Sequence, residues 1–324
     1  MIWRAVLIPL LYISACHQMM GVDQSQAPRI LQAGSSRPLM VPNFGSLGED
    51  RCASGHVFSD VDQPPSIVGS ILEIFDNGSR SRTYQPLKQF SDQGLRFTDF
   101  AVSPSGSLYE IFQSPEETKL VEVDSDGSPK HVTKLDVPAN VEERWAAIFN
   151  DGTSVFAGYF TPRAAAHLQG KSFVAIFQPS GRLSKKLSSY ADVDPAHFME
   201  KPLDGWVSAG EDGNAYILSG DKVLVVNEVG EVVRRLSFKK PDPAAFATRV
   251  DYAEGLLAIY LTNIDSKQRI TMHYLVLYAS TGGVFGYYEP SDDLGFDMCF
   301  LGHAGFIFRR TEGGQLKLVT APLL

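Results

Sequence analysis

Short apolar runs punctuated by Gly and Asp recur along most of this chain, and long amphipathic stretches of helical period are nearly absent. Six small-residue turns carrying glycine are each followed by such a run. They are Ala53-Ser54-Gly55, Pro104-Ser105-Gly106, Asn150-Asp151-Gly152, Glu211-Asp212-Gly213, Ala253-Glu254-Gly255 and His303-Ala304-Gly305. Their glycines lie 51, 46, 61, 42 and 50 residues apart. An offset series, Asp76-Asn77-Gly78, Ser125-Asp126-Gly127, Pro179-Ser180-Gly181, Glu228-Val229-Gly230 and Ser280-Thr281-Gly282, opens further strands at the same phase.

A repeat of about 50 residues with two glycine turns per unit matches a four-stranded propeller blade. The expected fold is therefore all-β: a six-bladed β-propeller of four-stranded antiparallel blades. The best-formed unit runs from Trp206 to Phe238, with strands over Val207–Ala209, Asn214–Leu218, Lys222–Asn227 and Glu231–Phe238. The last unit offers three strands, Phe296–Cys299, Phe306–Arg310 and Leu316–Thr320. Closing the ring then requires an N-terminal strand within Arg29–Met40, which would also protect the last sheet's edge. Helix is expected only as single turns in loops, at Arg163–Leu168 and Pro195–Met199.

With 44% hydrophobic residues, the 324-residue chain can bury a sizeable core, and one domain suffices. Its first residues read as a leader: Arg4 precedes an apolar stretch, Ala5 to Ile13, too short to span a bilayer. Ile13-Ser14-Ala15-Cys16 resembles the bacterial lipobox, whose cysteine is lipidated before cleavage. The expected organisation is a signal peptide over 1–15, a polar tether and closing strand over 16–46, and the propeller over 47–324. The protein is then exported: a periplasmic or outer-membrane lipoprotein anchored through Cys16, or alternatively a simple secreted protein. Removing 1–15 takes Arg4 with it and leaves 28 Lys+Arg against 37 Asp+Glu, a balance that disfavours nucleic-acid partners. Cys52 and Cys299 are placed near the first and last turn glycines, on expected innermost strands of blades that meet at ring closure. A disulfide suits an exported protein, and two buried thiols are the other reading.

In a propeller, the turns between first and second strands and between third and fourth strands share one face. Here those turns are short. Length is inserted on the opposite face, at Thr161–Lys171, Ser188–Asp204 and Asn263–Arg269, and binding residues concentrate on such loops. Near the starts of innermost strands stand Arg96, Asp99, Arg144, Trp145, Trp206, Arg249, Asp251 and Asp297, the candidate rim of a central channel. Arginine offers a donor fork for carboxylate or phosphate, and tryptophan a flat apolar face. Arginines and aspartates at strand starts also pair with one another, and tryptophans pack between blades; that alternative stands beside the first.

Catalytic signatures are missing. His167 and His197 fall in long loops outside any metal-ligand spacing, and Gly-x-Ser-x-Gly does not occur. Asp124-Ser125-Asp126-Gly127 has the look of a calcium loop, but the twelfth position is Leu135 where such loops carry Glu. Gly282-Gly283-Val284-Phe285-Gly286 and Asn77-Gly78-Ser79 read as strand turns rather than as a phosphate loop and a glycosylation site.

The segment Glu211–Leu218, Lys222–Asn227, Gly230–Leu236 resembles the NHL-repeat class of six-bladed propellers, and Phe100–Tyr109 is similar to another copy. The resemblance implies fold and blade number; relatives include binding scaffolds, sensor domains, and lactone hydrolases or lyases. Gluconolactonase-like relatives hold a metal in the channel on a Glu, Asn and Asp set. Asp99, Asp251 and Asp297 are candidate carboxylates, with no matching Asn or Glu evident. The expected function is a noncatalytic envelope module engaging a protein, peptide or glycan through its long-loop face, with no cofactor. The alternatives are a lactone or ester hydrolase using Ca or Zn, and a structural subunit of an envelope complex.

Overall fold

The apolar runs fold as strands of six antiparallel sheets in which each strand pairs with its neighbours in chain order. The structure is a computed structural model describing residues 43–48, 51–59, 67–76, 79–84, 88–124, 127–166, 171–187, 207–264, 270–290, 297–312 and 315–323. The first sheet, placed by its backbone, comprises β1 (Asn43–Gly48), β2 (Arg51–Ser59), β3 (Ile67–Asp76) and β4 (Ser79–Tyr84). The second comprises β5 (Arg96–Val102), β6 (Leu108–Gln113), β7 (Thr118–Val123) and β8 (Pro129–Leu135). The third comprises β9 (Val141–Ile148), β10 (Ser154–Phe160), β11 (Ser172–Phe177) and β12 (Leu183–Lys186). The fourth comprises β13 (Val207–Ala209), β14 (Asn214–Ser219), β15 (Lys222–Asn227) and β16 (Val232–Ser237). The fifth comprises β17 (Phe246–Ala253), β18 (Leu256–Ile264), β19 (Ile270–Tyr278) and β20 (Val284–Tyr288). The last has three strands, β21 (Asp297–Phe300), β22 (Phe306–Glu312) and β23 (Gln315–Ala321).

First strands contact one another in sequence: β1 with β5, β5 with β9, β9 with β13, β13 with β17, β17 with β21, and β21 with β1. This is a β-propeller. Five of its sheets are complete four-stranded blades among the described residues, where the glycine count predicts six. The sheet of β21 to β23 is one strand short, as the last repeat suggests, and its expected partner segment, 29–40, lies outside the described residues.

The core lies between sheets. Tyr216, Leu218 and Val225 of the fourth sheet bury against Val250, Leu257 and Ile259 of the fifth. Ile111 and Leu120 meet Phe156, Phe173 and Phe177, and Tyr260 and Tyr274 meet Phe300, Phe306 and Phe308. A sheet covered on both faces buries every residue of its middle strands, which is why β11 is buried throughout and reads as an unbroken apolar run. Each such side chain contributes about 1.5–3 kcal/mol on burial.

Gly106, Gly152, Gly213, Gly255 and Gly305 stand at the joints between first and second strands with positive φ, as the repeat requires. Gly55 does not. It lies inside β2, paired with Leu72, so the first repeat is out of phase with the other five and Cys52 sits on a second strand, not an innermost one. β1 begins at Asn43, so the fold takes in the end of the stretch expected to be tether. The one α-helix among the described residues, α1 (Lys88–Ser91), precedes β5 and was not expected, a 3-10 turn spans Gly302–Ala304, and residues 163–166 form turns without helix.

Register slips recur at fixed places. Near the start of the fourth strand of every complete sheet one residue is extra: Ser81, Lys130, Ser184, Val233 and Phe285. Bulges at such edges twist the exposed strand and oppose edge-to-edge pairing.

Candidate functional site

A second set of bulges positions the candidate channel residues. On the first strands β5, β9, β17 and β21 the extra residue is Thr98, Arg144, Thr248 and Met298 respectively. The threonines anchor this bend, Thr98 Oγ1 donating to the Ile111 carbonyl at 3.3 Å and Thr248 Oγ1 to the Tyr260 carbonyl at 3.4 Å. Aligned on the bulge, the expected rim residues fall at different positions. Arg96 is two residues before it, Asp297 one before, Arg144 on it, Asp99, Trp145 and Arg249 one after, and Asp251 three after. They do not form one ring of equivalent side chains. Trp206 lies outside the described residues, and the Arg144 and Asp297 side chains are likewise not described.

Arg249 and Asp251 do come together. Arg249, 8% exposed, donates from Nε to Asp251 Oδ1 at 3.0 Å and pairs through Nη2 with Oδ2. Tyr260 Oη donates to the same Oδ2 at 2.8 Å, and its ring lies 4.5 Å from the guanidinium carbon. The alternative in which arginine and aspartate satisfy each other is the arrangement found here, strengthened by a cation–π contact. Asp99 is 5% exposed and its Oδ1 accepts the Phe100 N–H at 2.7 Å. Arg96 reaches sideways to Glu142 of the third sheet at 4.0 Å. Gln113 joins the same two sheets, Nε2 donating to the Val141 carbonyl at 2.7 Å and Oε1 accepting the Glu143 N–H at 3.0 Å. Among the described residues, no group of three or more His, Cys, Asp or Glu side chains is placed to hold a metal ion. Asp124 closes the hairpin between β7 and β8 through the Gly127 N–H, as a turn and not as a calcium loop.

On the long-loop face, His167 and His197 lie outside the described residues. The β18–β19 hairpin carries instead His273, stacked on Tyr287 at 5.8 Å and 3.6 Å from Glu289. Asn263 Nδ2 donates to Asp242 Oδ2 beside it. Burial pushes the Tyr287 phenol up, aided by the Glu289 carboxylate. Cys299 is 1% exposed and disulfide-bonded. Its strand, β21, touches both β1 and β2.

The opposite face holds a cleft that the repeat pattern does not announce. Its volume is about 250 Å³, and Asp212, Asn214, Tyr216, Arg234, Tyr252 and Ser280 line it between the fourth and fifth sheets. Tyr216 and Tyr252 stack across the joint at 4.8 Å with 14° between rings. Asp212 Oδ2 accepts from Tyr216 Oη at 2.6 Å and from Asn214 Nδ2 at 2.9 Å. Burial, then the Asp212 hydrogen bond, pushes the Tyr216 phenol far above its ordinary range; burial chiefly pushes Tyr252 up to about 12. Arg234 reaches over from β16, Nη1 donating to the carbonyls of Ala279, at 3.0 Å, and Ser280. Stacked rings, a carboxylate, an amide and a guanidinium thus line one cleft, with Asp212 and Arg234 hydrogen-bonded to its own walls. Its walls come from four strands and their turns, far apart in sequence, and nothing in the spacing of those residues marks them.

No family model matches the chain, and no curated protein matches it. Solved structures are similar to it at low identity and low TM-score. A protein of unknown function from Bacteroides caccae is 12% identical with a TM-score of 0.38, over 76% of this chain and 80% of that one. The WD40 domain of Neurospora crassa Pan2 is 9% identical with a TM-score of 0.44, over 86% and 77%. A puromycin hydrolase is 15% identical with a TM-score of 0.47, over 85% of this chain and 42% of the enzyme.

Proposed function

We propose that the protein is a noncatalytic binding scaffold of a bacterial cell envelope: a six-bladed propeller of NHL-like repeats, tethered by lipid at Cys16. The observation that carries the binding reading is the state of the described candidate carboxylates. Asp251 is held by Arg249 and Tyr260, and Asp99 is 5% exposed with one oxygen accepting the Phe100 N–H. Six blades are supported by the cyclic order of first-strand contacts, with the three-stranded sheet as the sixth blade; a strand within 29–40 would complete it. The adjacency of β2 and β21 supports Cys52 as the partner of Cys299, a covalent clasp across the ring's closure. The long-loop face, with Trp145 and Arg144 on the β9 bend and His273 on the projecting hairpin, engages a protein, peptide or glycan.

Elemental analysis of the purified full chain tests this. Calcium and zinc are expected well below one per chain; a stoichiometric ion whose removal abolishes a hydrolytic activity would overturn the reading in favour of a lactone or ester hydrolase.

A further inference from the structure

The open edge of the three-stranded sheet has a direction. β22 begins at Phe306, just after the joint glycine Gly305, and pairs antiparallel with β23 so that Phe306 stands opposite Ala321. β23 therefore runs toward the face of the short turns, where Gly305 lies against Ala321 and Pro322. In all five complete sheets the fourth strand pairs antiparallel with the third. A strand completing the last sheet thus enters on the short-turn face and ends on the long-loop face, where the first strand β1 begins.

The chain ahead of Asn43 has the length for this. The link from a fourth strand to the next first strand takes five residues between β8 and β9, and eight between β16 and β17 or between β20 and β21. An eight-residue link before Asn43 ends the closing strand at residue 34, and six residues, the length of β4 and of β16, start it at 29. Arg29 and Arg37, with no acid between them, match β4, β8, β12 and β16, each of which has two Lys or Arg and no Asp or Glu. Twelve residues, 17–28, then separate the strand from Cys16.

We infer that the lipid-bearing end of the chain leaves the propeller on its short-turn face, so that the membrane lies on that side and the long-loop face points away from it. The inference rests on the proposed anchor at Cys16 and on the long-loop face as binding surface, and adds which way that surface faces. Lengths decide the side. A seven-residue strand such as β23 makes the disc about 23 Å thick, whereas a flexible twelve-residue tether has a root-mean-square span of about 20 Å. A tether of that span, attached at the short-turn side, does not carry the anchor round the rim to the far face. Surface adhesion does not set the orientation. Exposed acids dominate the described short turns, Asp124, Asp151, Glu211, Glu228, Glu231 and Glu254 against Arg182, and anionic headgroups repel them. The anchor alone holds the disc, and a partner approaching from the side away from the bilayer meets the long loops first.

The test uses the full chain, acylated in cells and reconstituted in vesicles of neutral phosphatidylcholine that carry a rhodamine headgroup acceptor. The mass of the N-terminal peptide is read first; an unmodified Cys16 overturns the anchored reading and this inference together. Donor dyes are attached at opposite ends of the third sheet, which lies across the ring from the three-stranded one, through Ser180→Cys on the short-turn face or Arg163→Cys on the long-loop face, both exposed positions, with the native disulfide of Cys299 kept oxidised. Energy transfer to the bilayer should be about twofold or more stronger from position 180 than from position 163, because the faces stand about 23 Å apart. Inserting about twelve Gly and Ser residues after Gln18 should narrow that difference, since the span of the tether grows about 1.4-fold. In the acylated protein, equal transfer, stronger transfer from position 163, or a difference that the insertion leaves untouched would each overturn the inference while the scaffold reading stands.

Discussion

Arg249 and Tyr216 show how much of this interior is polar yet internally satisfied. Asp251→Ala deprives a buried guanidinium of the carboxylate it grips twice, and should cost about 3–5 kcal/mol in denaturant unfolding. Tyr260→Phe removes only the hydroxyl donated to that carboxylate, at about 1.5–3 kcal/mol. Arg249 and Asp251 were legible as strand-start charges, whereas Tyr260 was not, because its partner lies across a strand pair and nothing in an apolar run marks one hydroxyl. The tyrosines also set a pH dependence. Tyr252 is raised to about 12 when folded, and Tyr216 is raised as well, so the folded state holds phenol protons that the unfolded state releases near pH 10. Their contribution is complete below about pH 10 and is lost as pH rises toward the folded values. The denaturation midpoint should therefore fall with rising pH in that window. Tyr252→Phe should flatten the fall, and an unchanged slope would contradict the assignment.

Among elements, the turns and edges explain why five repeats were in phase and one was not. Asp212-Gly213 and Ala253-Glu254-Gly255 turn because glycine takes positive φ there, while Ala53-Ser54-Gly55 has the same small residues in the middle of a paired strand. Small residues permit a turn without compelling one. The α1 turn was hidden for a different reason, since four residues are too few to display a helical period. Two glycines separate conformation from packing. A Cβ at Gly213 meets nothing within 4 Å, so Gly213→Ala should cost only the strain of its +76° φ, about 1–2 kcal/mol. A Cβ at Gly181 would strike the Lys134 carbonyl of the neighbouring sheet, so Gly181→Ala should cost clearly more, about 3 kcal/mol or above. Thermal unfolding of the two variants side by side checks the order.

At the scale of the whole molecule, the periodicity of the turns forecast the ring because sheets buried on both faces impose it on the sequence. The cleft stayed hidden because Asp212, Arg234, Tyr252 and Ser280 meet only once two sheets are packed. The clasp belongs at this scale too. If Cys299 is bonded to Cys52, reduction of the folded protein should lower its melting temperature by several degrees, and Cys52→Ser should reproduce the fall and leave reducing agent without further effect. The central proposal is that the propeller is a binding scaffold and not a hydrolase. Turnover of a panel of lactones and simple esters by the full chain, with and without chelator, tests it most directly. The account predicts hydrolysis at the buffer rate in both conditions, and turnover that disappears on chelation and returns with added calcium or zinc would contradict it.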